Sequence, residues 1–92
     1  GFDAALYAGA TRHELGSRLA WSDNLQLQAS APLPAHWKLI HNGKLAAEST
    51  GRTFDHRLME PGIYRLELWL DVAGAERIWV LGNPWYVGNR TD

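Results

Sequence analysis

The sequence predicts an all-β protein, an immunoglobulin-like antiparallel β-sandwich of about seven or eight strands. Three observations lead there. Apolar residues recur with period two over most of the chain, the spacing of half-buried strands. Turn-forming residues punctuate it at short, regular intervals: Gly9-Ala10-Thr11, Pro32-Leu33-Pro34, Asn42-Gly43, Thr50-Gly51, Pro61-Gly62 and Gly74. Pro61-Gly62-Ile63-Tyr64 opens the best strand with Tyr64 on its inward side. A tyrosine there suits a tyrosine corner, whose hydroxyl reaches back to nearby backbone; the alternative is a plain core aromatic.

Phe2–Ala8 and Arg18–Trp21 are short strand candidates, and His13-Glu14-Leu15 between them reads as a single helical turn. Residues 24–29 set Leu25, Leu27 and Ala29 against Gln26 and Gln28. Trp37–His41 and Lys44–Glu48 form a hairpin around Asn42-Gly43, a pair that tolerates the two positive φ angles of a type I′ turn. Trp37 takes an inward, core position. Phe54, His56 and Leu58 alternate with Thr53, Asp55 and Arg57, so His56 is expected to be a half-buried packing residue. In Ile63–Leu70, Tyr64, Leu66, Leu68 and Leu70 share one face while Arg65, Glu67 and Trp69 share the other. Ile78–Leu81 and Trp85–Val87 are split by Gly82-Asn83-Pro84, and Pro84 lacks the N–H a sheet ladder needs, so the break reads as a bulge or edge crossover.

Ninety-two residues make a single domain spanning 1–92, with no internal repeat or linker. The chain opens Gly1-Phe2-Asp3 without Met, and it is expected to be a C-terminal piece of a longer protein. Nine basic against ten acidic residues exclude a nucleic-acid partner held by bulk charge. No apolar run is long enough for a membrane span. The absence of cysteine excludes disulfides, thiol nucleophiles and thiolate metal sites.

Catalytic and metal sites find little support. His13, His36, His41 and His56 show no paired ligand spacing, and His36 and His41 fall on opposite faces of their strand. No nucleophile elbow surrounds Ser17, Ser22, Ser30 or Ser49, and no glycine-rich loop leads into a helix. No catalytic, cofactor or metal residue is therefore assigned, and the chain is read as noncatalytic. Five tryptophans are the one unusual enrichment. Trp37 and Trp79 are expected in the core. Trp69, beside Arg65 and Glu67, and Trp85, after the Pro84 break, are expected outside it. This set is the candidate interface; the alternatives are a sugar-stacking platform, and for Trp69 a loop of the same domain covering it.

Residues 61–68 (Pro-Gly-Ile-Tyr-Arg-Leu-Glu-Leu), followed by residues 78–87 (Ile-Trp-Val-Leu-Gly-Asn-Pro-Trp-Tyr-Val), carry a resemblance. With the Leu39-Ile40-His41-Asn42-Gly43-Lys44-Leu45 hairpin, they resemble the C-terminal immunoglobulin-like segment of bacterial proteins that carry a PHP-type (polymerase and histidinol phosphatase) metal-dependent phosphohydrolase domain. The likeness covers about residues 24–88. It departs at Gly82, where the family usually has Ser, and at Trp85, where it usually has Ile. Besides these, Tyr64, Trp37, Asn42, Gly43, Pro61, Gly62, Asn83 and Pro84 are the expected structural positions. The resemblance implies a noncatalytic accessory domain packing against an upstream phosphoesterase domain of the same chain, or holding a homodimer together. It implies an extracytoplasmic location by analogy alone. A carbohydrate- or surface-binding module of an extracytoplasmic protein is the alternative function.

Overall fold

The computed structural model describes residues 2–88, apart from the side chains of Val72, Trp79, Val80 and Leu81. Eight strands follow one another in the chain: β1 Asp3–Ala8, β2 Thr11–Glu14, β3 Arg18–Ala20, β4 Leu25–His41, β5 Lys44–Arg57, β6 Gly62–Val72, β7 Ala75–Leu81 and β8 Trp85–Gly88. The described residues contain no helix. They form a curled sheet that folds on itself as a sandwich.

The fold turns on β4 and β5, each of which belongs to both layers. The first half of β4, residues 25–30, lies between β1 and the end of β5. Its second half, residues 36–41, lies between the start of β5 and β6. Between the halves, the β4–β5 register jumps from Ser30↔Thr53 to Ala35↔Gly51. Five steps on β4 thus face two on β5, and residues 31–34 bulge out of the ladder. Pro32 and Pro34 fall inside that bulge, where a missing N–H breaks no ladder bond. The prolines that read as a break between two strands instead mark the bend of one.

The first layer is β2-β1-β4-β5. The second is β5-β4-β6, with β7 and β8 both pairing antiparallel with β6 and β3 outside β8. From Glu67↔Leu81 to Tyr64↔Trp85 the outer chain takes four steps against three, so Gly82-Asn83-Pro84 is a bulge in one interrupted edge. Two expectations need correction. Residues 11–14 form β2 rather than a helical turn, because Gly9 (φ 63°) turns the chain back and places His13 opposite Leu6. The sandwich is also not wholly antiparallel. After Gly16 the chain leaves the first layer and enters the open edge of the second beside β8, running parallel to it.

The core lies between the layers. Trp37, Trp85, Leu6, Leu25, Leu27, Leu39, Leu58 and Leu68 are its largest fully buried side chains. Trp37 stacks between Phe2 and Phe54, with ring centres 6.2 and 6.1 Å away. Its indole N–H donates to the Gly51 carbonyl at 2.8 Å. A buried indole needs such an acceptor, and the bend of β5 supplies it. Small Ala31 and Ala35, both buried, line the crossing of β4. The tyrosine corner is present: Tyr64 is buried and its hydroxyl donates to the Glu60 carbonyl at 2.5 Å.

The Asn42-Gly43 turn has the two positive φ angles expected of it, 51° and 83°. Asn42 is further tied to the next hairpin: its backbone N–H donates to the Ile63 carbonyl, and its side-chain oxygen accepts from the Ile63 N–H. Ala73-Gly74 repeats the pair of positive angles at the β6–β7 turn, φ 53° and 82°.

Candidate functional site

Alternation along β6 sends Ile63, Arg65, Glu67, Trp69 and Asp71 to the outer side of the second layer. Cross-strand register then fixes their neighbours. Trp69 faces His36 on β4 and Ile78 on β7, Glu67 faces Lys38, Arg65 faces Ile40, and Ile63 faces Tyr86 on β8. From β5, Thr50 lies beside His36, Glu48 beside Lys38 and Leu45 beside Ile40. The result is a broad face of alternating charge and aliphatic surface.

Of the four expected interface residues, three meet here. Glu67 accepts from Arg65 at 3.2 Å and from the Trp69 indole at 3.0 Å. Its side chain is only 13% exposed, so the carboxylate is held rather than solvated. Lys38 places its ammonium 4.5 Å from the centre of the Trp69 ring, a cation–π contact that leaves the indole half-buried. Trp85 does not join them. Its position after Pro84 suggests an edge, but alternation along β8 turns it inward, where it is fully buried and its indole donates to the His13 carbonyl at 3.1 Å. It is a core residue that ties β8 to the end of β2. Trp79, expected in the core, lies outside the described side chains.

The aliphatic members of the face escape a motif-based reading. Leu45, Ile63 and Ile78 are about half exposed, at 52, 48 and 45%. The signal was available in the sequence, since Ile63 precedes Tyr64 and so shares a side with Arg65. At one end of the face an open groove of about 650 Å³ runs between β3, β8 and the Pro61–Ile63 turn. Arg18 lies over the Tyr86 ring there, 4.5 Å from its centre. At the other end His36 bridges two acids, its Nε2 2.7 Å from Glu48 and its Nδ1 3.0 Å from Glu76. Those hydrogen bonds, the one to Glu76 foremost, raise the His36 pKa above its ordinary value.

His41 and His56 pack. His41 stacks on Tyr64 with ring centres 4.3 Å apart and donates from Nε2 to the Pro61 carbonyl at 2.8 Å. His56 stacks on Phe54, and burial pushes its pKa down. Among the described residues, no group of three or more His, Asp or Glu could hold a metal ion, and no helix is long and apolar enough to cross a membrane. The two acids at His36 approach opposite ring nitrogens, so the three groups do not converge on one point.

No family model, curated protein or solved structure matches the chain.

Proposed function

We propose that the chain is a noncatalytic accessory domain that packs against a neighbouring protein domain through the outer face of β5-β4-β6-β7. One observation carries this reading: the exposed aliphatic residues Leu45, Ile63 and Ile78 share this face with charges already held in place. Aliphatic area interleaved with fixed charges suits protein association, where apolar contact drives binding and placed charges set its register. The sugar-platform alternative is weaker, because Trp69 and Tyr86 each have a cation stacked on a ring face. On the strength of the Pro-Gly-x-Tyr and Asn-Pro segments, the proposed partner is a PHP-type metal-dependent phosphohydrolase domain in the same polypeptide.

The test is association in trans between this domain and a separately produced PHP-type domain from the same reading frame, followed by calorimetry. Saturable binding that Leu45→Ser with Ile63→Ser weakens at least tenfold is the expected result. A reading frame with no metallohydrolase would remove the named partner, and binding unaffected by the double substitution would remove the face.

A further inference from the structure

We propose that His36 is a proton-dependent clasp that fastens the β6–β7 hairpin and the β5 edge onto the central strand β4. A carboxylate only accepts hydrogen bonds, and a neutral imidazole carries one N–H. Both nitrogens of His36 lie within hydrogen-bond distance of carboxylate oxygens, Glu48 Oε1 and Glu76 Oε2. Only the imidazolium can donate to both at once. Glu48 belongs to β5 and Glu76 to β7, so the line Glu48–His36–Glu76 crosses four strands at right angles to the ladder.

The surroundings favour the charged ring. From β4 the same face carries Lys38, whose ammonium sits over Trp69. From β5 it carries Glu48; from β6, Glu67 and Asp71; from β7, Glu76. Arg77 registers with Leu70 and so lies on the other side of the sheet. Glu67 is already engaged by Arg65 and Trp69, while Asp71 lines the same cleft as His36 and Glu76. Four carboxylates outnumber the two cations of this face, Lys38 and Arg65, and stabilise the imidazolium.

When the ring loses its proton, one arm must open, since a lone pair would then face an acceptor. The Glu76 arm is the longer, and among the described residues β7 has no ladder partner except β6. Glu76 therefore lets go first, and β7 loses a side-chain tie to β4. The clasp stands whether or not a partner covers the face.

The experiment uses the whole 92-residue chain. NMR follows the His36 ring through a pH titration, and amide hydrogen exchange of residues 75–81 is compared at pH 6 and pH 8 after correction for the intrinsic rate. His36 is expected to titrate above its ordinary value of 6.5. The β7 amides are expected to lose protection by about two- to fivefold at pH 8, the size set by a solvent-exposed ion pair, while β1 and β2 amides do not change. Glu76→Gln lowers the titration point, and both Glu76→Gln and His36→Gln remove the pH dependence of β7 exchange. Titration at or below 6.5, or the same pH dependence of β7 in wild type and His36→Gln, would overturn the clasp. The wild-type titration keeps the proposal falsifiable should a variant fail to fold.

Discussion

The two outer faces of the sandwich are made by the same two long strands and have opposite characters. On the first layer the register rows read Asp3–Ser30–Thr53 and Tyr7–Gln26–Arg57, and Gln28 lies beside Asp55. Arg12 reaches across from β2 to Asp3 at 2.6 Å, to the Tyr7 hydroxyl at 2.9 Å and to Glu14. The one aliphatic residue there, Ala5, is wholly covered. On the second layer, Leu45, Ile63 and Ile78 stand between charges and remain half exposed. Both faces sit on one core and differ only in what alternation sends outward. A uniformly polar surface minimises its free energy in water, whereas exposed aliphatic rows lower theirs by being covered. Of the two faces, only the second carries exposed large aliphatic side chains among the described residues.

The largest perturbation would erase the contrast by removing what both faces rest on. Trp37→Ala takes out the indole stacked between Phe2 and Phe54 and orphans the Gly51 carbonyl. A loss of about 3–5 kcal/mol is expected in denaturant titration, with both layers unfolding together.

A smaller change should act on one side only. Gly62 has φ 142°, and a Cβ there would run into the His41 ring and come within 2.9 Å of the Asn42 side chain. Gly62→Ala is expected to cost about 1–3 kcal/mol, by overpacking and by a backbone angle that L residues avoid. In hydrogen exchange the β6–β8 pairing should weaken while the β1–β2 hairpin keeps its protection. Equal weakening of both would show that the β6–β8 pairing opens only when the whole fold does.

The smallest effect concerns pH, because each layer has its own perturbed histidine. His36 in the second layer has a raised pKa, so its stabilising contribution is complete below 6.5 and fades as pH climbs through the raised value. His56, against Phe54 in the first layer, has a lowered pKa, so its contribution is complete above 6.5 and fades as pH falls toward the lowered value. Melting temperatures between pH 5 and 8.5 should therefore fall on both sides of the middle. His36→Gln should flatten the alkaline flank and His56→Gln the acid flank.

Much of the scaffold is legible because it depends on local rules. Period-two alternation identifies the inner and outer sides of β6, Asn-Gly identifies its turn, and Pro61-Gly62-Ile63-Tyr64 locates the corner whose hydroxyl bonds Glu60. What depends on partners is not legible. Whether Pro32 and Pro34 end a strand or ride in a bulge is decided by what β5 offers opposite. Whether Trp85 faces water depends on β2 arriving above it, and residues 11–14 became β2 because β1 presented an edge. In the Glu48–His36–Glu76 line, Glu48 lies across the Asn42-Gly43 hairpin from His36, but Glu76 comes from a strand 40 residues further on, so no spacing could announce it. Arg65, Glu67 and Trp69 were legible as a group because they share one strand.

The bend that carries β4 and β5 from one layer to the other has a thermodynamic consequence. Neither sheet owns its two central strands, so melting either one strips the other of its middle. An all-or-none transition follows, without a populated half-sandwich between native and denatured chains.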